Sequence, residues 1–544
     1  MSMIRRITQS LPIHFILLLA VSLLSYHEVF RMYFLGDDFG TVYKIQNNFS
    51  FSWPQHQLVN MLRPLYNMFH AEPFGYFASG FLVFVISAVL FYFLAKTIFQ
   101  NNLYAFIAAL IYTTAPIGVE SVTMMILYIG SYYALALFSL ILIFLLKFLK
   151  TGKTIYYIFC IGVLLLSFET VAYRAFLFPI VMLLFGMFFW NRKILGVKKL
   201  IISYAVIFFL WGLMYLFRAY LVDVQGSAYV TNLNPTIIME RLGMFMKNFK
   251  HYFLGNIYYE RMDSAFIDAI YTNPINALGP LIGTLNIIYV IPLGKIIPSL
   301  HIALSILLIA FSTFVFKKRK RIKDSNLKKY FASIAFIFAV VLAFFIPFPK
   351  IIMPSINHYA VYALPGYALL ITSVFLILVN LFAKQKFAVF KIIPYLLLVV
   401  VVSINLYNVR DYLSVYNQRI VYVRPFFKQL KELQPTLPPA PLLVYIETIV
   451  KPDDDPAEAR WRLYDIWHGG IHGANVLFGL YYNIDAGKTI ATPVWDTVRD
   501  FVRENPENID RVYSFSYDLD GLQPTTEQVR ERLRSLVATG EINL

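Results

Sequence analysis

Eleven apolar runs, most of them near the roughly 20 residues that a helix needs to cross a hydrocarbon core, leave this chain little choice of solvent. They cover 11–30, 77–99, 103–116, 131–149, 154–167, 172–190, 200–220, 299–316, 330–346, 358–382 and 392–405. With 59% hydrophobic and 14% charged residues among 544, the composition is far too apolar for a soluble protein, and it predicts an α-helical polytopic membrane protein. The formal charge of +16 could suit a nucleic-acid binder, but its cations lie in short loops between apolar runs, so no nucleic-acid partner is expected.

Those cations also orient the chain. Arg5 and Arg6 precede the first run, and no small-residue cleavage site follows it, so a retained signal-anchor with a cytoplasmic amino terminus is expected. Alternate loops then carry Lys96, the group Lys147, Lys150 and Lys153, the group Arg192, Lys193, Lys198 and Lys199, the cluster from Lys317 to Lys329, and finally Lys384, Lys386 and Lys391. All fall on one side, as the positive-inside rule requires. The apolar stretch 277–298 would break that pattern as a full crossing, so it reads as re-entrant or interfacial.

Acidic residues give the complementary pattern. Of the 12 Asp and Glu residues in 1–406, only Asp324 belongs to a cytoplasmic loop in this topology. Any chemistry is therefore expected on the outer face. Past about residue 407 the composition changes to 15 Lys and Arg against 19 Asp and Glu. The expected domains are thus a membrane part, 1–406, and an extracytoplasmic α/β domain, 407–544. In the second, 442–449 and 511–520 read as strands, and 495–505 and 526–537 as helices. The single cysteine, Cys160, lies within an apolar run, so no disulfide or cysteine metal site is available.

Within the first outer loop stands Gly36-Asp37-Asp38-Phe39-Gly40. Adjacent carboxylates beside a bilayer lose hydration and need partners, which points to a working pair, although a solvated turn is the plainer alternative. Downstream, Arg63 and His70 are expected on neighbouring faces of an interfacial helix that starts at Pro64's turn, suited to an anionic head group or to lipid phosphates. The second and third outer connections hold Glu120 and Glu169, the latter with Arg174 five residues on. These could bind a metal or acceptor, or Glu169 and Arg174 could cap two helix ends. Lys350 and His358-Tyr359 bring further donors to the same face. The stretch 467–473, with His468 and His472, reads first as a glycine loop.

Taken in order, the Asp-Asp pair, Arg63-Pro64-Leu65, Pro116 with Glu120, Ser167 with Glu169-Thr170, and the late helix with Tyr359 and Pro365 resemble the GT-C superfamily of membrane glycosyltransferases. More narrowly, they are similar to the bacterial relatives of the protein O-mannosyltransferases and of the tetratricopeptide-bearing membrane mannosyltransferases. The chain departs from these in carrying His358-Tyr359 where relatives often have arginine or glutamate beside tyrosine, and in having no repeats in its tail.

The resemblance implies a bacterial cell-membrane enzyme that moves a sugar, with inversion, from a polyprenyl-phosphate donor to an acceptor hydroxyl at the outer face. Asp37 is the favoured general base and Asp38 the runner-up; whichever is not the base would bind metal or position the loop. Arg63, His70, Arg174, Lys350 and His358 would hold the departing phosphate. Glu120, Glu169 and Tyr359 would serve the acceptor or a metal. Mg2+ or Mn2+ could bridge Asp37, Asp38 and Glu120, although the sequence does not require an ion. Two other classes stay open: a transporter or flippase of lipid-linked sugars, and a non-catalytic membrane protein whose tail binds a cell-envelope partner.

Overall fold

The computed structural model describes residues 10–34, 37–47, 55–171, 178–221, parts of 310–317, 324–345, 358–383, 388–439, 441–449, 473–518 and 520–541. The run 277–298, all but the end of 299–316, and the histidines 468 and 472 lie outside them.

Ten apolar helices stand where the hydropathy placed them, beginning with α1 (Leu11–Tyr26). Two helices of the first outer loop follow, α2 (Asp37–Gln46) and α3 (Gln55–Phe69). The bundle continues with α4 (Pro73–Phe99), α5 (Asn102–Thr114), α6 (Met125–Thr151), α7 (Thr154–Val171), α8 (Phe178–Met187) and α9 (Val197–Leu221). It is completed by α10 (Asp324–Phe345), α11 (Leu364–Phe382) and α12 (Ala388–Leu433). Among the described residues seven helices are long and apolar enough to cross a membrane, and α5, α7 and α8 are shorter apolar helices. The protein is an integral membrane protein. Exposed Ile16, Leu82, Phe209, Leu396 and Val399 give the bundle an apolar outside, the surface that lipid tails solvate.

Two expectations need correction. The helix carrying Arg63 does not start at Pro64 but at Gln55, with Pro64 in its interior. Its amphipathic face, including buried Leu62, packs against the bundle, and this packing outweighs the one backbone hydrogen bond that proline removes. The last apolar run, expected to end at Asn405, continues as a 46-residue helix to Leu433. Val409, Tyr412, Leu413, Tyr416, Phe426, Phe427 and Leu430 are buried along it at helical spacing, so the apolar stripe outlasts the change in overall composition. At 1.5 Å per residue this rod is about 69 Å long, more than twice the hydrocarbon thickness. The boundary expected at 406/407 falls inside it.

The tail adds β1 (Leu442–Thr448), α13 (Gly473–Tyr482), β2 (Thr489–Thr492), α14 (Trp495–Glu504), β3 (Val512–Asp518), β4 (Gly521–Pro524) and α15 (Thr526–Ala538). The sheet order is β2-β1-β3-β4, with β1 parallel to β2 and β3, and β4 antiparallel to β3. β1 is buried on both faces. Leu442, Val444 and Ile446 join a core continuous with the membrane bundle, whereas Leu443 and Tyr445 pack with Val498, Phe501, Val529 and Leu533 of α14 and α15. The sheet is thus a layer between the long helix with α13 on one side and α14 with α15 on the other. Tyr517 packs its ring edge on Phe426, and Leu522 N–H donates to the Gln429 side chain, which fixes the sheet to α12.

Candidate active site

Helix α6 begins after Met124, a residue whose side chain cannot cap, so its first backbone N–H groups need an acceptor from elsewhere. Asp38 supplies it from 87 residues away: its Oδ2 accepts from Met125 N–H at 3.0 Å and its Oδ1 from Ile126 N–H at 3.2 Å. The carboxylate is fully buried, and it meets the positive end of a 27-residue helix. Asp38 also lies in the first turn of α2, so one anion serves two helix starts. Its neighbour Asp37 opens α2, while the Asp37 side chain lies outside the described residues.

The connection between α5 and α6 is folded against the same spot. Gly118 adopts φ +71°, and a Cβ built there would stand 2.4 Å from Val361 Cα, so the turn touches the backbone of the 3-10 segment His358–Ala363. Only glycine suits both the left-handed backbone and that approach. Ser121 Oγ donates to Gly118 O at 2.6 Å, and Thr123 Oγ1 to Glu120 O at 2.8 Å, which stiffens the short turn Val119–Val122. Glu120 stands half-buried in it. The start of α2, the Glu120 turn, the start of α6 and the His358 segment therefore meet in one place.

The remaining candidates are distributed less tightly. Arg63 and His70 are exposed, on α3 and just past its end. His70 has φ +48°, its carbonyl accepts from Tyr76 Oη at 2.7 Å, and its ring lies edge-on to Tyr66. Helix α3 packs against α2, α4 and α7, the last of which carries Glu169 near its end. Arg174 and Lys350 lie outside the described residues, as do the side chains of Glu169, His358 and Tyr359. Among the described residues no three His, Cys, Asp or Glu side chains gather closely enough to hold a metal ion.

Two features were not read from the sequence. Beneath the site, Tyr26, Tyr112, Tyr128 and Tyr132 are fully buried, with the Tyr112 and Ser87 hydroxyls 2.6 Å apart. Above it, the tail clamps α2. Ala486 N–H donates to Tyr43 Oη at 3.0 Å, Gln46 Nε2 to Asn483 Oδ1 at 3.2 Å, and the Tyr33 and Tyr481 hydroxyls hydrogen-bond each other. Phe427 stacks on Tyr481 with ring centroids 4.4 Å apart and also touches Phe39. Gly479 makes the approach possible, since a Cβ there would come within 2.6 Å of the Tyr43 ring. Tyr482 donates to Gln434 O at 2.8 Å, and burial raises its hydroxyl pKa well above the usual value.

No family model and no curated protein match the sequence. Among solved structures the chain is similar to the crystal structure of ArnT from Cupriavidus metallidurans bound to undecaprenyl phosphate, at 11% identity and a TM-score of 0.41, covering 92% of each chain.

Proposed function

We propose that this protein is a GT-C-type glycosyltransferase that moves a sugar from a polyprenyl-phosphate donor to an acceptor hydroxyl at the outer face of a bacterial cell membrane, with inversion. The reading is carried by the acid-pair turn, which is held against the start of α6 at the junction of the Glu120 turn and the His358 segment. In the proposed reaction the acceptor oxygen attacks the anomeric carbon as the bond to the phosphate oxygen breaks. The hydroxyl proton passes to Asp37, and the electron pair leaves with the polyprenyl phosphate.

The two adjacent acids then divide the work. Asp38 uses both oxygens to hold the first N–H groups of α6, so it positions the turn, and Asp37 is left as the base. Arg63, His70, Arg174, Lys350 and His358 would receive the phosphate as its charge develops. A divalent ion such as Mg2+ or Mn2+ would be held by Glu120 and by the Asp37 oxygen that does not take the proton, since both Asp38 oxygens are engaged, and it would add charge at the phosphate. The tail, extracytoplasmic in this reading, clamps α2 and shapes the acceptor side. Purified protein should release polyprenyl phosphate from a synthetic polyprenyl-phosphate sugar and give a product of opposite anomeric configuration by NMR. Movement of the lipid-linked sugar between leaflets with no anomeric bond broken would instead assign a flippase.

A further inference from the structure

At the lysine-rich end of the bundle, opposite the site above, a cleft of about 510 Å³ opens between the end of α6 and the starts of α7 and α9. Its accessible surface is almost wholly apolar, with Phe148, Tyr157 and Ile202 beside Thr154 and Ser203, and Lys198 and Lys199 belong to the same lining. The surface beside it is greasy and exposed: Ile158, Ile201 and Ile202 are 59%, 62% and 53% accessible. This is the composition of a groove open to lipid tails, with cations where a head group would sit.

The charge around it is one-sided. The sequence has no Asp or Glu between Glu120 and Glu169, nor between Glu169 and Asp223, while Lys147, Lys150, Lys153, Arg192, Lys193, Lys198 and Lys199 fall within those intervals. Lys199 reaches Gly152 O at 3.2 Å with its amine over the Phe148 ring, and Tyr157 Oη donates to Ser203 O at 2.7 Å, so the cleft wall is built from fixed contacts. The first N–H groups of α7 and α9 add positive potential on the same side. The volume lies in the range of about 300–1,000 Å³ typical of small-molecule sites.

We infer that this cleft holds one anionic phospholipid of the adjacent leaflet, its phosphate at Lys198 and Lys199 and an acyl chain along Tyr157 and Ile202. A soluble phosphate compound would gain nothing from the apolar walls, and a zwitterionic lipid, whose own cation offsets its phosphate, would gain less from the lysines than an anionic one. The inference is independent of the glycosyltransferase reading.

The test is native mass spectrometry of the full-length protein with 1-palmitoyl-2-oleoyl phosphatidylglycerol, and with phosphatidylcholine of the same chains. The wild type should retain phosphatidylglycerol preferentially, and K198Q/K199Q should bind it on the order of tenfold more weakly. K328Q/K391Q removes the same charge from exposed lysines elsewhere on that side and should leave binding unchanged. I202W, which fills the groove without altering charge, should also lower retention, and K198Q alone covers the case in which the double variant fails to fold. An equal preference for both lipids in the wild type, equal losses in both double variants, or full displacement by inorganic phosphate with I202W behaving as wild type would each overturn the inference.

Discussion

The two ends of α6 solve the same problem with opposite charges and different depths. At its start the helix lacks a local cap, and a fully buried carboxylate, Asp38, accepts from its first two N–H groups. At its other end Gly152 turns the chain with φ +68°, and the exposed Lys199 amine meets the Gly152 carbonyl at 3.2 Å. Both complement the helix dipole. The difference lies in what each removal would leave behind: two stranded donors in a buried interior at one end, and a carbonyl that water can reach at the other. The start of α6 is therefore fixed in geometry, while its end is electrostatically biased but forgiving.

The largest expected effect separates the neighbouring acids. Asp37→Asn should lower sugar-transfer turnover by about 10²- to 10⁴-fold with donor affinity and melting temperature near wild type, because a general base acts only in the transition state. Asp38→Ala should lose stability, by about 4 kcal/mol, since two buried helix N–H groups lose their acceptor. Asp38→Asn, which keeps one acceptor oxygen, should lose about half of that. Thermal unfolding in parallel with turnover checks the pair, and an Asp37→Asn variant that melts early while keeping its turnover would reverse the two roles.

Next comes the turn that closes over the buried cap. Gly118→Ala should cost about 3 kcal/mol, because it places a side chain at φ +71° and drives it into the Val361 backbone. Since the Glu120 turn and the His358 segment would part, turnover should fall with stability. Unchanged unfolding in that variant would mean that the two turns are not held together as described.

How much of this was legible beforehand follows from the range of each interaction. The apolar runs and the alternation in 442–449 are local patterns, and the helices and strands formed on them. The 46-residue α12 runs on past Asn405 because, although composition changes there, the apolar spacing from Val409 to Leu430 does not. Asp38 drew attention as half of an acid pair, but its partners are backbone groups 87 residues on, which no local pattern reveals. One signal was present: Met124, where a helix start usually carries Ser, Thr, Asp or Asn, left a cap to be found elsewhere. The clamp of the tail on α2 depends on Tyr43 and Gly479, which look ordinary in the sequence.

At the lysine-bearing end of α6 the expected effects shrink. Lys150 is half-buried, and its amine donates to Thr97 O at 2.6 Å, one of the last carbonyls of α4. Lys150→Met keeps the length and apolar stem but strands that carbonyl, so a loss of about 1–2 kcal/mol in thermal unfolding is expected.

The smallest effect is the one that tests the comparison most directly. Lys199→Gln removes the charge opposite to Asp38 on the same helix while leaving a side chain able to donate to Gly152 O. Because the amine is exposed, solvent and salt screen its interaction with the helix end, and the dipole contribution there is about 0.3–1 kcal/mol. Unfolding should shift by no more than that, and the shift should fade as salt is raised. The loss in Asp38→Asn should persist in salt, since its carboxylate is buried among backbone donors. A Lys199→Gln loss as large as that of Asp38→Asn, and equally indifferent to salt, would show that depth does not distinguish the two ends, and the assignment of the start of α6 as the rigid end would lose its physical basis.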